Sequence, residues 1–166
     1  MMLLHRIGRR LSSNWNTIEE IMALPKDVPL SFDGIYTEMY AYREQLRGRD
    51  ITLFFCGQHL GRDNSFDRGE VLGQFITYDQ LMELHFFYDF KLGYHSLTHT
   101  DLTTLSDDEI RQEVKMPFPM DAFAYPYGRF DRRVLKAVEE AGYREAYSVH
   151  QGDGSQFQKH RRYLNW

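Results

Sequence analysis

Short β-forming runs alternate with capped helical segments along most of this chain, and that alternation limits the fold more than any other feature. Ile51-Thr52-Leu53-Phe54-Phe55-Cys56 is the clearest strand. Similar runs are Val28–Phe32, Lys91–Tyr94, Ala122–Tyr125 and Glu145–Val149, with one more short strand expected at Arg161–Leu164. Between them lie helix starts. Thr17-Ile18-Glu19-Glu20, Thr77-Tyr78-Asp79-Gln80 and Ser106-Asp107-Asp108-Glu109 each place a hydroxyl three residues before Glu or Gln, the capping-box spacing. Tyr36–Arg47 reads as one helix closed near Gly48, and Asp131–Ala141 as an amphipathic helix with Gly142 at its C′ position. Strand followed by helix, repeated, predicts a parallel α/β sheet or barrel. The polar, glycine-bearing stretch Gly61–Gly73 reads as a surface loop.

In folds of this kind ligands bind at the carboxyl ends of the strands. Those ends carry Asp33, His59, His95 with His99, Tyr125-Pro126-Tyr127 and His150, whereas His5, His85 and His160 fall outside the set. His95 and His99 stand four apart in the connection leaving Lys91–Tyr94, a spacing that lets both imidazoles face one metal ion. Two histidines at this distance are also met as ordinary half-buried side chains, so spacing alone does not decide.

At 166 residues the chain is read as one domain, 1–166, with its motifs between about 28 and 150. A net charge of −4 argues against a nucleic-acid binder, and the basic clusters Arg43/Arg47/Arg49 and Lys159/Arg161/Arg162 are expected to be solvated faces. No run is apolar for long enough to span a membrane, and Met1–Arg10 has too short an apolar core for a secretory signal, so a cytoplasmic location is expected. The single cysteine, Cys56, ends an apolar run and is expected to be a buried structural thiol.

These residues together resemble the polysaccharide deacetylases, carbohydrate esterase family 4, whose domain is also called the NodB-homology domain. His95-Ser96-Leu97-Thr98-His99 fits the family's His-[Ser/Thr]-x-x-His metal pair and is followed by the typical Asp101-Leu102 and Leu105-Ser106. Phe123-Ala124-Tyr125-Pro126-Tyr127-Gly128-Arg129-Phe130-Asp131 fits a form of the third motif. Ile51–Gly57 resembles the second strand, and Glu140-Ala141-Gly142-Tyr143 the late turn from helix to strand. The resemblance implies a distorted (β/α) barrel that hydrolyses an N-acetyl or O-acetyl group on a carbohydrate, with a divalent metal, zinc by preference, as cofactor. It places His95, His99 and Asp33 as candidate metal ligands, Asp33 as the alternative candidate base, and the backbone N–H of Tyr127 at the oxyanion. His150 is the candidate for the histidine that protonates the leaving group, by its place on the rim.

The chain also departs from that pattern. The family's first motif, Thr-Phe-Asp-Asp-Gly, supplies a base and then a metal ligand, whereas this chain reads Ser31-Phe32-Asp33-Gly34-Ile35 and has one carboxylate. Without a gap Asp33 is the base and Gly34 stands at the ligand position; with one residue deleted Asp33 is the ligand. Ala124 replaces the arginine that braces the base in many members. The chain is short for the family, so the barrel is expected to be incomplete or completed by a partner copy, which leaves room for a homo-oligomer. Two functions stay open: a metal-dependent deacetylase, or a catalytically impaired relative that serves as a carbohydrate-binding or assembly module.

Overall fold

The computed structural model describes residues 1–9, 14–66 and 70–164. Residues 67–69 of the expected Gly61–Gly73 loop, and the last two of the polar tail, lie outside them. In chain order the elements are β1 (Met2–Leu4), β2 (Arg6–Ile7), β3 (Trp15–Asn16), α1 (Ile18–Met22), β4 (Leu30–Asp33), α2 (Thr37–Ala41), α3 (Arg43–Leu46), β5 (Ile51–Phe55), α4 (Tyr78–Tyr88), β6 (Lys91–Tyr94), α5 (Asp107–Val114), β7 (Ala122–Ala124), α6 (Arg132–Glu140), β8 (Glu145–Ser148), β9 (Lys159–His160) and β10 (Arg162–Tyr163). All three expected capping boxes form, with Thr17, Thr77 and Ser106 accepting from the amides of Glu20, Gln80 and Glu109. The expected helix Tyr36–Arg47 is two short helices, broken where Tyr42 leaves helical geometry at φ −93°, ψ 9°.

The main sheet has eight strands in the order β10-β1-β4-β5-β6-β7-β8-β9, every pair of neighbours parallel. Its two ends meet. β9 pairs with β8, β10 pairs with β1, and one residue, Arg161, separates them, so a single extended stretch bridges both edges and nearly closes a barrel. Two segments bring the barrel to near closure: the amino-terminal Met2–Leu4, not expected as a strand, and this last stretch, which includes part of the strand expected at Arg161–Leu164. Parallel pairing buries both faces of the central strands, as the all-buried β4 and β5 show.

Alternation along each strand sorts the side chains into two layers. Leu30, Phe32, Leu53, Phe55, Tyr94 and Phe123 point outward, where the helices contribute Met39, Leu81, Leu84, Ile110 and Val134 to the main core. Phe54, Ala122, Ala124 and Tyr147 form a second, small cluster on the other face, inside the barrel. Registers Asp33↔Phe54, Phe54↔Gly93 and Gly93↔Ala122 put these inner residues side by side. Gly93 is there because the Phe54 ring takes its space: a Cβ on Gly93 would lie 2.4 Å from Phe54 Cε1. Gly93→Ala is therefore expected to overfill the interior and lower unfolding free energy by about 1–3 kcal/mol. Urea denaturation followed by circular dichroism checks this, and an unchanged midpoint would show that Phe54 has room to turn away.

Candidate active site

β4 ends in the buried carboxylate of Asp33. Opposite it stands Arg161, 1% exposed, in the stretch that closes the barrel. The guanidinium donates to both oxygens, Nη1 to Oδ1 at 2.5 Å and Nη2 to Oδ2 at 2.7 Å, and Nη1 also donates to Ser31 Oγ at 3.2 Å. This is the two-pronged geometry in which arginine binds a carboxylate most strongly. Burial pushes the Asp33 carboxyl pKa up, but the charges of Arg161 and His95 outweigh it and hold the group at about 2. Asp33 is thus ionised at any working pH, with its orientation fixed. The expectation of a solvated basic tail is corrected at this residue: Ala124 carries no charge, and Arg161, between β9 and β10, pairs with Asp33. Arg49 likewise is buried, donating to the carbonyls of Met22, Leu24 and Pro25 behind α1.

β6 delivers His95, which is 3% exposed. Its Nδ1 lies 2.8 Å from the carbonyl oxygen of Ala124. A carbonyl only accepts, so Nδ1 carries the proton and the neutral ring turns a bare Nε2 inward, 3.6 Å from Asp33 Oδ2. Two acceptors facing each other at this distance call for a proton or a cation between them. The His99 ring stands 4.8 Å from that of His95, centroid to centroid, and 4.8 Å from the ring of Tyr127. Its Nδ1 is buried with no hydrogen-bond partner among the described residues. Burial lowers the pKa of both imidazoles, that of His99 to about 3 with the help of His95, so both are neutral, the form that ligates metals. No group of three His, Cys, Asp or Glu side chains arranged to hold a metal occurs among the described residues. The donor set therefore fits a metal in its two imidazoles, while the carboxylate beside them is already spent on Arg161.

These groups share a cavity of about 280 Å³ at the carboxyl ends of the strands, lined also by His5, Gly34, His59, Phe66 and Tyr127. Tyr127 sits at φ 57° in the turn Pro126–Gly128, its side chain 54% exposed at the mouth. His59 donates through Nε2 to the Thr98 carbonyl at 3.1 Å, and its ring stacks on Phe66 at 4.0 Å. Gly34 takes φ +64°, and a Cβ there would press within 3.1 Å of the Phe75 ring, so the residue after Asp33 is shaped for glycine. His150 is exposed and does not line the cavity. His5 does, contrary to its placement off the rim: it follows β1, its Nδ1 is sealed from solvent without a partner among the described residues, and burial, only partly opposed by Asp33, lowers its pKa to about 4. The signal that would have found His5 was its position one residue beyond a strand, had Met2–Leu4 been read as one.

Known structures share the fold. The structure of the Streptococcus pyogenes deacetylase PplD in complex with acetate superposes with a TM-score of 0.70 at 15% identity, over 98% of this chain and 90% of that one. A polysaccharide deacetylase from Bacillus cereus gives a TM-score of 0.75 at 16% identity, over 98% of this chain and 63% of that one. A de-N-acetylase from Aggregatibacter actinomycetemcomitans gives 0.70 at 14%, over 99% and 95%. At such identities the likeness is one of fold. No curated protein matches the sequence at a significant level. The family model for polysaccharide deacetylase matches residues 23–146, and with that match spanning most of the sequence, the chain belongs to the polysaccharide deacetylase family.

Proposed function

We propose that the protein is a metal-dependent hydrolase that removes an acetyl group from the nitrogen of an acetylated carbohydrate. One observation carries this reading: a carboxylate held ionised by Arg161 faces a bare imidazole nitrogen inside a cavity, on a fold whose family is that of the polysaccharide deacetylases. A pure binding module has no use for a buried anion set against two neutral imidazoles. That PplD was solved with acetate, the product such a hydrolysis releases, is in keeping with it.

The roles follow from the contacts. Asp33 is the base: with both oxygens anchored by Arg161 it is oriented, and Oδ2, the oxygen turned toward His95, is placed to take a proton from an attacking water. Arg161 also keeps that carboxylate from collapsing onto any other donor. His95 and His99 would hold a divalent metal, zinc by its affinity for imidazole, which when bound supplies Lewis-acid polarisation of the acetyl carbonyl and acidifies water. The carbonyl of Ala124 fixes the tautomer and ring plane of His95, the task an outer-shell acceptor performs at metal sites. The main-chain amide of Tyr127 is assigned to the oxyanion that develops on the acetyl group. The cavity of about 280 Å³ admits the acetamido end of a sugar and leaves the rest of the carbohydrate at the mouth, beside Tyr127 and Phe66.

Two experiments test the reading. His95→Ala/His99→Ala is expected to abolish stoichiometric zinc, measured by metal analysis after dialysis against trace metal; retention of one equivalent would overturn the assignment of both ligands. Asp33→Asn is expected to cut acetate release from N-acetylated oligosaccharides by at least about 10²-fold, the loss typical of removing a general base. It also leaves Arg161 buried without its counter-charge, so stability should fall by several kcal/mol, on the order of 3–5. Zinc content of the folded variant separates the two roles of Asp33: zinc retained with activity lost makes it the base, and zinc lost makes it a ligand.

A further inference from the structure

We propose that Glu113 is a positioning residue for the metal-ligating loop, through a bound pair of main-chain amides rather than through contact with substrate or metal. The inference rests on the reading of His95 and His99 as metal ligands, and nothing in the family motifs points to it. Glu113 is the penultimate residue of α5 and is 8% exposed. That is a costly place for a carboxylate. It is buried, and it stands in the last turn of a helix, where the negative end of the backbone dipole repels an anion.

What holds it there is the histidine loop. Glu113 Oε2 accepts from the amides of Leu97 at 3.0 Å and Thr98 at 2.9 Å, and Oε1 accepts from Thr98 Oγ1 at 2.7 Å; the Leu97 amide is shared with the main-chain carbonyl of Glu113, also at 3.0 Å. The main chain of this loop is strained: Ser96 has φ 69° and His99 φ 62°, neither of them glycine. Such geometry persists only where neighbours over-determine it. Further supports come from the residues that follow β5 and from the loop itself. Ser96 O accepts from Gly57, Leu97 O from Gln58 and Thr98 O from His59 Nε2, and the His99 amide donates to Ser96 Oγ at 3.0 Å. The two amides in the middle, at Leu97 and Thr98, go to Glu113. They lie between the two left-handed residues, so Glu113 fixes the turn that brings the His95 and His99 rings to 4.8 Å. Alanine removes every one of these acceptors, whereas a glutamine with its oxygen at the Oε2 position keeps both amide bonds and loses only the charge, its NH2 facing a Thr98 hydroxyl that can accept.

The test compares wild type with Glu113→Gln and Glu113→Ala, and with Thr98→Ala, which removes one of the three donors and keeps the protein foldable should the Glu113 variants fail. Two quantities are read: the zinc dissociation constant by chelator competition, and amide hydrogen exchange of Leu97, Thr98 and His99 in the metal-free protein. Glu113→Ala is expected to weaken zinc by about 10–100-fold, as outer-shell changes at metal sites do, with smaller losses in Glu113→Gln and Thr98→Ala. In Glu113→Ala the Thr98 amide, which donates to the carboxylate, should lose about tenfold or more in protection, with smaller losses at Leu97 and His99, while the β6 amide of Tyr94 keeps its own. A variant that melts earlier but holds zinc within about threefold of wild type, with loop protection unchanged relative to β6, overturns the proposal and leaves Glu113 a stability residue. Wild-type protein that binds no zinc refutes the metal reading instead, and the loop amides then decide the role of Glu113 alone.

Discussion

The contact between Asp33 and Arg161 is the interaction on which both the barrel and its site depend. It joins the end of β4 to the last stretch of the chain, 128 residues away in sequence, and both partners are almost wholly buried. A buried ion pair is a poor source of net stability, because the cost of drying two charges offsets their attraction, but removing one partner leaves the other stranded. The pair therefore acts as a condition on the fold more than a contribution to it: the barrel closes with Arg161 inside, or it does not close. Around it the chain supplies what a buried guanidinium needs. Ser31 accepts a further bond, and the rings of Phe54 and Tyr147 lie 5.0 and 6.0 Å from the guanidinium carbon.

A second consequence concerns the electrostatics of the cavity. With Arg161 bound, the charge of Asp33 is matched inside the barrel while Oδ2 still faces His95 Nε2 at 3.6 Å, and the imidazoles of His5, His95 and His99 are all driven neutral by burial. The interior is close to charge balance while holding several lone pairs. The N-terminal segment completes this arrangement. Arg6 lies between the rings of Trp15 and Tyr36, 4.2 Å from each centroid, and is paired with Glu38, so the rim near His5 is a braced structure and not a loose end.

Much of this was legible in the sequence. The capping boxes at Thr17, Thr77 and Ser106 fixed helix starts because the signal is local, four residues long and chemical in origin. The strands β5 and β6, and with them the His95–His99 pair, were readable because apolar runs bounded by polar turns leave few alternatives. What escaped depends on partners remote in sequence. Met2–Leu4 is three residues long and is a strand because β4 and β10 flank it on both sides. Arg161 sits in a polar tail and reads as solvated unless the anion that buries it is known to lie opposite. Tyr42 broke an expected helix at a point where apolar spacing alone gave no warning.

The missing second carboxylate of the first motif also takes on a meaning in this setting. Gly34 is held at φ +64° against Phe75, so the backbone that turns away from Asp33 has no place for a longer side chain without strain. The cavity then offers a divalent cation two imidazoles and a carboxylate whose charge is already shared with arginine. Less anionic charge in the donor set means that affinity has to come from how narrowly the two rings are confined, since each loosely held ligand loses rotational freedom on binding. That shifts weight from the ligands to the loop that carries them, and gives a physical reason for a loop whose strained residues Ser96 and His99 are enclosed by bonds to Gly57, Gln58, His59 and Glu113.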